Sequence, residues 1–323
     1  MSAQRKSGRR RHRDHPADPA GRQPAGSVPA DPQSTDEAAG ARRFPAPLIA
    51  GALALLAVIA LVVVSVVRQP EPLTVDALES PVVGALGAGE GIYPANSAEA
   101  ITENVKFGYL PAVDIAALSD GTIVVADPET GHEELGLDRP LAEVDAATFA
   151  DARVRPAPLT AFDDAGNGGG AESAETTREG TPITWEDALE EFGDETVLMP
   201  EIVVADHVPA VLDPVQEAGR TDGVIVRSSD LGVLEAAVGR DATALYSGDP
   251  SGTSPEELLA AGITMAALPA DDPALDDWLG SDVRVWVTGV ESEDALADLA
   301  ERGAFGALAA NPFAIQPSNV RTD

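Results

Sequence analysis

Residues 283–312 read VRVWVTGVESEDALADLAERGAFGALAANP, and this stretch indicates the fold. Two short apolar runs, 283–287 and 305–309, have the length of buried strands. Between them Leu296, Leu299 and Ala300 share one helical face, and Gly303 predicts the end of that helix. A strand, a helix and a second strand in succession form the βαβ unit from which parallel sheets are built.

The same alternation extends through residues 75–323. Helix starts are recognisable, because Thr184 precedes WEDALEEF and Ser254 precedes Pro-Glu-Glu, as capping residues do. Nine apolar runs are candidate strands: 81–85, 112–116, 122–126, 197–204, 223–226, 242–246, 263–267, 283–287 and 305–309.

This many strands with crossover helices predicts an α/β domain of the (β/α)8 TIM-like barrel type over residues 75–323. A doubly wound open sheet is the alternative. The phosphate-binding glycine motifs G-x-G-x-x-G and G-x-x-x-x-G-K-[ST] that often mark that class are missing from the sequence. Residues 164–180, DAGNGGGAESAETTREG, are rich in small and polar residues and predict a flexible surface insertion.

A single transmembrane helix is predicted within residues 45–68. Its apolar stretch, 48–67, reads LIAGALALLAVIALVVVSVV and carries no charge. Such a helix spans about 30 Å, the thickness of the hydrocarbon layer. A cleaved signal peptide is the alternative, but the lead-in is long and no clear A-x-A cleavage site directly follows Val67.

The charge distribution predicts the orientation of this helix. Residues 1–44 hold nine Lys or Arg against five Asp or Glu, and they lack the apolar residues of a core. We therefore expect a disordered, basic tail in the cytoplasm and residues 75–323 on the far side of the cell membrane.

The region after Arg68 is strongly acidic, with eleven Lys or Arg against forty-nine Asp or Glu. A surface of that charge repels nucleic acid, which we exclude as a partner of the outer domain. The sequence contains no Cys, so disulfides, thiolate metal sites and thiol catalysis are excluded as well.

The order of segments in the outer domain resembles the glycerophosphodiester phosphodiesterase family. Pro94-Ala95-Asn96-Ser97, a helix and then AVDIAALSDGTIVVADPE (112–129) are similar to the family's Pro-Glu-Asn-Thr, helix, Glu-x-Asp-Val, Asp-Gly turn, strand and His-Asp. ITWEDALEEFG (183–193), Pro200-Glu201-Ile202-Val203, VRVWVTGVESEDA (283–295) and GAFGALAANP (303–312) resemble its later segments, in the same order.

The resemblance implies a barrel enzyme that hydrolyses phosphodiesters with carboxylate-bound metal and two imidazoles. In this sequence alanine stands where that chemistry needs ionisable groups, at Ala85, Ala95, Ala112 and Ala126. Asp114 and Glu201 remain as residual metal ligands and imply at most a weakly bound Mg²⁺ or Ca²⁺. Asp127 remains as well, and the family's lysine is replaced by Val203.

His132 and His207 are the two histidines of the outer domain and are weak catalytic candidates. Each follows a family motif position by six residues, at loops expected near the C-terminal mouth of the barrel. They either join Asp114 and Glu201 in a rebuilt site or are ordinary loop histidines. Trp286 either lines the mouth or belongs to the core.

Three functions stay open on the sequence alone. The first is a membrane-anchored, catalytically impaired phosphodiesterase-like protein that binds a small phosphodiester or a protein ligand. The second is an active, divergent phosphoric diester hydrolase of glycerophospholipid metabolism. The third is a structural outer domain without a small-molecule site.

Overall fold

The computed structural model describes residues 72–156 and 179–316. The predicted tail, the predicted transmembrane helix and residues 164–178 of the predicted insertion lie outside the described residues, so these predictions stay predictions. Within the described ranges, no helix has the length and apolar character needed to cross a membrane. The described residues belong to one compact unit.

The strands of the described ranges are β1 (Val82–Leu86), β2 (Leu110–Ala112), β3 (Ile115–Ala117), β4 (Ile123–Val125), β5 (Ile225–Ser228), β6 (Thr243–Tyr246), β7 (Met265–Pro269), β8 (Arg284–Thr288) and β9 (Gly306–Ala309). Seven of them form the parallel sheet of an α/β fold, in the order β2-β1-β9-β8-β7-β6-β5. The predicted α/β class and parallel pairing are confirmed.

Residues 198–202 hydrogen bond to both edge strands and curl the sheet back on itself. Val113 N, just beyond β2, donates to Met199 O at 3.2 Å, and Ile225 N of β5 donates to Leu198 O at 2.9 Å. The prediction of a regular strand at 197–204 is wrong, because the contacts are isolated parallel bridges. Pro200 has no N–H to donate and interrupts the ladder at this position.

Strands β3 and β4 form an antiparallel hairpin apart from the main sheet. The prediction that 112–116 and 122–126 are parallel strands is therefore wrong. The Asp120-Gly121 turn reverses the chain between them, with Gly121 at φ +85° and Leu118 N donating to Thr122 O. The hairpin has a core of its own, formed by Ala116, Leu118, Val124, Ala126, Leu135, Leu141, Val144, Phe149 and Val154.

The α-helices of the described ranges are α1 (Ala98–Phe107), α2 (Gly131–Glu134), α3 (Ala146–Asp151), α4 (Trp185–Phe192), α5 (Val208–Glu217), α6 (Leu231–Val238), α7 (Pro255–Ala260), α8 (Leu275–Leu279), α9 (Glu293–Glu301) and α10 (Pro312–Ile315). Two predicted helix starts are confirmed, since Thr184 accepts from Asp187 N and Ser254 forms a capping box with Glu257. Helix α9 is capped at its start by Ser292 and ends at Glu301, two residues before the predicted stop at Gly303.

The interior enclosed by the sheet is filled by side chains from its strands, and Trp286 is the largest of them. Its side chain is fully buried and lies edge-to-face against Phe305, with ring centroids 5.6 Å apart. Gly306 on the neighbouring strand β9 and Gly84 on β1 leave room for the indole, since a Cβ would lie 3.0 Å from the ring at Gly306 and 3.6 Å from it at Gly84. Trp286 therefore belongs to the core.

Candidate functional site

Three charged residues, Asp114, Glu201 and Arg227, lie side by side at the carboxyl-terminal edge of the sheet. Asp114 follows β2, Glu201 belongs to the bridging segment 198–202, and Arg227 lies in β5. The backbone pairs Asp114 with Glu201 and Glu201 with Arg227, both in parallel register. The carboxyl ends of parallel strands in such folds form the mouth where binding and catalytic groups collect.

Arg227 joins the two carboxylates. Its Nη2 lies 3.3 Å from Asp114 Oδ1, and its Nη1 lies 3.1 Å from Glu201 Oε2. The Arg227 side chain is only 2% exposed, against 18% for Asp114 and 30% for Glu201. Two backbone carbonyls fix the guanidinium further, because Nε donates to Met199 O and Nη2 donates to Val113 O.

Asn96 holds Asp114 from the other side. Its Nδ2 donates to Asp114 Oδ2 at 2.9 Å, and Asp114 N donates to Asn96 Oδ1 at 3.0 Å. Asn96 is buried and has φ +54°, a left-handed conformation that Asn tolerates better than most residues. Asp114 is therefore fixed by one neutral and one cationic partner.

Further carboxylates surround this group. Glu90 lies in the loop after β1, where its side chain folds back over Gly87. Partial burial of the carboxyl group and the charge of Asp114 raise the pKa of Glu90, although the residue as a whole stays exposed and Arg227 opposes the shift. Burial and the charge of Asp127 raise the pKa of Glu134 on α2.

Glu134→Gln is expected to raise the melting temperature of the full chain at neutral pH. A raised pKa means that folding favours the protonated form, so the ionised carboxyl of Glu134 costs the folded state free energy once the pH rises through that pKa. Below pH 4.5, the ordinary value, the carboxyl is protonated in both states and the gain disappears. Thermal melts across this range check it.

Glu133→Gln is the matched control, since Glu133 is the exposed neighbour of Glu134 on α2. The two variants share the same change of net charge. Equal effects of both substitutions at every pH would show that general charge repulsion, and not the environment of Glu134, sets the melting temperature.

No family model matches this sequence, and no curated protein matches it. Solved structures do match. A putative glycerophosphoryl diester phosphodiesterase from Silicibacter pomeroyi DSS-3 aligns with a TM-score of 0.60 at 18% identity, over 74% of this chain and 92% of that one. The chain has the fold of the glycerophosphodiester phosphodiesterases.

Two further structures support the same fold. A phosphodiesterase from Oleispira antarctica, solved in complex with the product sn-glycerol-3-phosphate, gives a TM-score of 0.59 at 16% identity, over 73% of this chain and 95% of that one. A glycerophosphodiester phosphodiesterase from Thermotoga maritima gives a TM-score of 0.55 at 16% identity, over 71% of this chain and 94% of that one. At these identities the likeness concerns the fold.

The predicted site residues fall into two groups, those that join the charged group at the mouth and those that do not. Asp114 and Glu201 lie next to each other at the mouth, and Arg227 forms an ion pair with each of them. His132, on α2, and His207, at the start of α5, are half-buried, and neither forms an ion pair or side-chain hydrogen bond with Asp114 or Glu201. Among the described residues, no group of three His, Asp or Glu side chains is arranged to hold a metal ion.

The remaining motif positions of this phosphodiesterase-like chain have packing roles. Asp127 accepts from Glu129 N and Thr130 N, so it shapes the turn before α2. Ala85 and Ala112 are fully buried, and Ala126 packs in the core of the hairpin. Methyl groups neither transfer protons nor bind metal, so these positions contribute no chemistry.

Sequence reasoning missed Arg227. A signal was available, because Arg227 directly follows the apolar run Val224-Ile225-Val226, at the end of a predicted strand. A charged residue in a buried strand needs a charged or polar partner. Its partners lie up to 114 residues away in the sequence, which is why no local pattern identified them.

A concavity lies at the amino end of the strands, the end opposite to Asp114, Glu201 and Arg227. It has a volume of about 510 Å³ and is lined by Leu73, Leu78, Val82, Phe107, Tyr109 and Leu110, among others. Its carboxylates are Glu79 and Glu195, and its lining contains no histidine. None of the predicted site residues lines this concavity, whereas Asp114 and Glu201 belong to the charged group of the mouth, which is therefore the better candidate for a functional site.

Proposed function

We propose that this protein is a membrane-anchored, extracytoplasmic, glycerophosphodiester phosphodiesterase-like protein that is catalytically impaired and acts as a binding module. The observation that carries the proposal is the ion pairing of the acidic residues at the mouth. The two residual metal ligands predicted from the sequence, Asp114 and Glu201, are both paired with Arg227, which is buried. The general acid–base chemistry of diester hydrolysis needs groups that exchange protons at the reacting atoms.

The charge of the mouth bears on the ligand. Asp114 and Glu201 contact one buried guanidinium, and the carboxyl groups of Glu90, Asp127 and Glu134 interact electrostatically with this group, so acidic side chains outnumber the cation there. A phosphodiester anion is repelled by such a surface, whereas a neutral or basic segment of a protein is not. Of the two ligand classes predicted from the sequence, this favours a protein ligand.

Hydrolysis is the experiment that tests the impaired-enzyme proposal. The full chain, purified in detergent, is expected to release no glycerol phosphate from glycerophosphodiesters above the buffer rate, with Mg²⁺ or Ca²⁺ present. The Thermotoga maritima enzyme, assayed in parallel, serves as the positive control. Turnover that a chelator abolishes would contradict the proposal.

An active, divergent phosphoric diester hydrolase of glycerophospholipid metabolism is the second candidate. It is favoured by one observation, the position of Asp114 and Glu201 side by side at the carboxyl ends of neighbouring strand positions. The same assay separates the two candidates, since this one requires turnover that Asp114→Asn abolishes. Binding of sn-glycerol-3-phosphate, measured by calorimetry, would also support it.

The membrane topology is proposed from the charge asymmetry around residues 48–67. External protease applied to intact cells is expected to remove an epitope tag at the C-terminus and to spare a tag at the N-terminus. Protection of the C-terminal tag in intact cells, with cleavage only after permeabilisation, would reverse the proposed orientation.

A further inference from the structure

We propose that Arg227 is a permanent, built-in cation that replaces an exchangeable metal ion between Asp114 and Glu201. The fold resembled here implies a divalent cation held by carboxylates, and the residues of this chain do not fit one. This inference does not depend on the proposed function, because it concerns the counter-ion of the mouth and not its ligand.

The first step of the argument is the juxtaposition of two acids. Asp114 and Glu201 are bridge partners in parallel register, so their side chains start from neighbouring backbone positions. Two carboxylates placed side by side destabilise each other unless a proton or a cation lies close to both. Some positive group is therefore required at this point of the fold.

The second step is that the chain supplies that group itself. One guanidinium nitrogen lies 3.3 Å from Asp114 and the other 3.1 Å from Glu201. The planar fork of Arg presents its donors in fixed directions and carries its charge at every physiological pH. Because Met199 O and Val113 O also accept from it, the guanidinium is held independently of either carboxylate.

The third step is that this position offers a divalent metal ion too few charged oxygen ligands. Mg²⁺ and Ca²⁺ require six or more oxygen ligands, and their affinity follows the number of charged ones. Asp114 and Glu201 supply two carboxylates. Ala112, two residues before Asp114 and so on the same face of an extended chain, has a methyl group that cannot act as a third ligand. A divalent ion between them would also be repelled by the buried guanidinium.

A set of variants of the full chain tests this inference by melting temperature with and without millimolar MgCl₂ or CaCl₂, at matched ionic strength. In the parent, divalent ions are expected to change the melting temperature no more than they do in the variant Asp114→Asn/Glu201→Gln. The ions are then attracted to the acidic surface as a whole and not to one site. Arg227→Met removes the cation and leaves the two acids, so the melting temperature is expected to fall by about 6–20 °C.

The response of Arg227→Met to divalent ions is the decisive readout. Mg²⁺ or Ca²⁺ is expected to recover part of the lost melting temperature, because the ion now takes the position of the guanidinium. Arg227→Lys is the matched control, since it keeps the charge and is expected to stay insensitive to divalent ions. The triple variant Arg227→Met/Asp114→Asn/Glu201→Gln is expected to lose the recovery.

Two results would overturn the inference. One is a recovery of equal size in the Arg227→Met and triple variants. The other is a saturable divalent-ion site in the parent that Asp114→Asn abolishes, measured by calorimetry, and this readout remains available if Arg227→Met does not fold. The hydrolysis assay is separate, so loss of this inference leaves the proposed function to be judged on its own.

Discussion

Trp286→Ala is expected to lower the melting temperature of the chain by about 6–20 °C. The indole is fully buried inside the curled sheet, and replacing a buried Trp by Ala costs about 3–5 kcal/mol. For a domain of this size each kcal/mol corresponds to about 2–4 °C. The cavity cannot close easily, because Trp286 is flanked by Gly84 and Gly306, which have no side chains to move into it.

Trp286→Phe is the matched control for this prediction. Among the described residues the indole Nε1 has no hydrogen-bond partner, so its removal breaks no hydrogen bond to them. Phe keeps an aromatic ring next to Phe305 and leaves a smaller cavity. We expect Trp286→Phe to melt well above Trp286→Ala, and equal melting temperatures would show that the interior is not packed around this ring.

Asn96→Ala is expected to lower the melting temperature by about 4–16 °C, for two separable reasons. The substitution removes both hydrogen bonds to Asp114, which leaves polar groups near the buried guanidinium without their partner. It also places Ala at φ +54°, a conformation that costs a side-chain-bearing residue about 1–2 kcal/mol. Thermal melts of the full chain measure the sum.

Asn96→Gly separates the two contributions, since Gly adopts positive φ without strain and still lacks the amide. The Gly variant is expected to melt above the Ala variant and below the parent. If Asn96→Gly matched the parent, the hydrogen bonds to Asp114 would contribute nothing measurable, and the rigidity of the mouth would have another source.

Much of the fold could be predicted from local patterns. The strands that became β5 to β9 are compact apolar runs, and the caps at Thr184 and Ser254 follow from short-range hydrogen bonding. The hairpin of β3 and β4 could not be separated from the sheet in this way. Its two runs are as apolar as the sheet strands, and only the tertiary structure shows that they pack on a core of their own.

The site was only half predictable for a related reason. Asp114 and Glu201 were identified because they match positions of a known motif, and the structure brings them together. Arg227 matches no such motif, and its role depends on contacts with segments more than twenty-five residues away in sequence. The three charged residues meet only when the sheet curls and brings distant segments together, so no local sequence pattern reveals their pairing.

The central claim is that a guanidinium, and not a metal ion, neutralises the two acids at the mouth. A crystal structure of the chain grown with Mn²⁺, with anomalous scattering measured at the manganese edge, tests it most directly. The account predicts no anomalous peak between Asp114 and Glu201, with the guanidinium of Arg227 in contact with both carboxylates. A manganese ion bound by the two carboxylates, with Arg227 turned away, would contradict it.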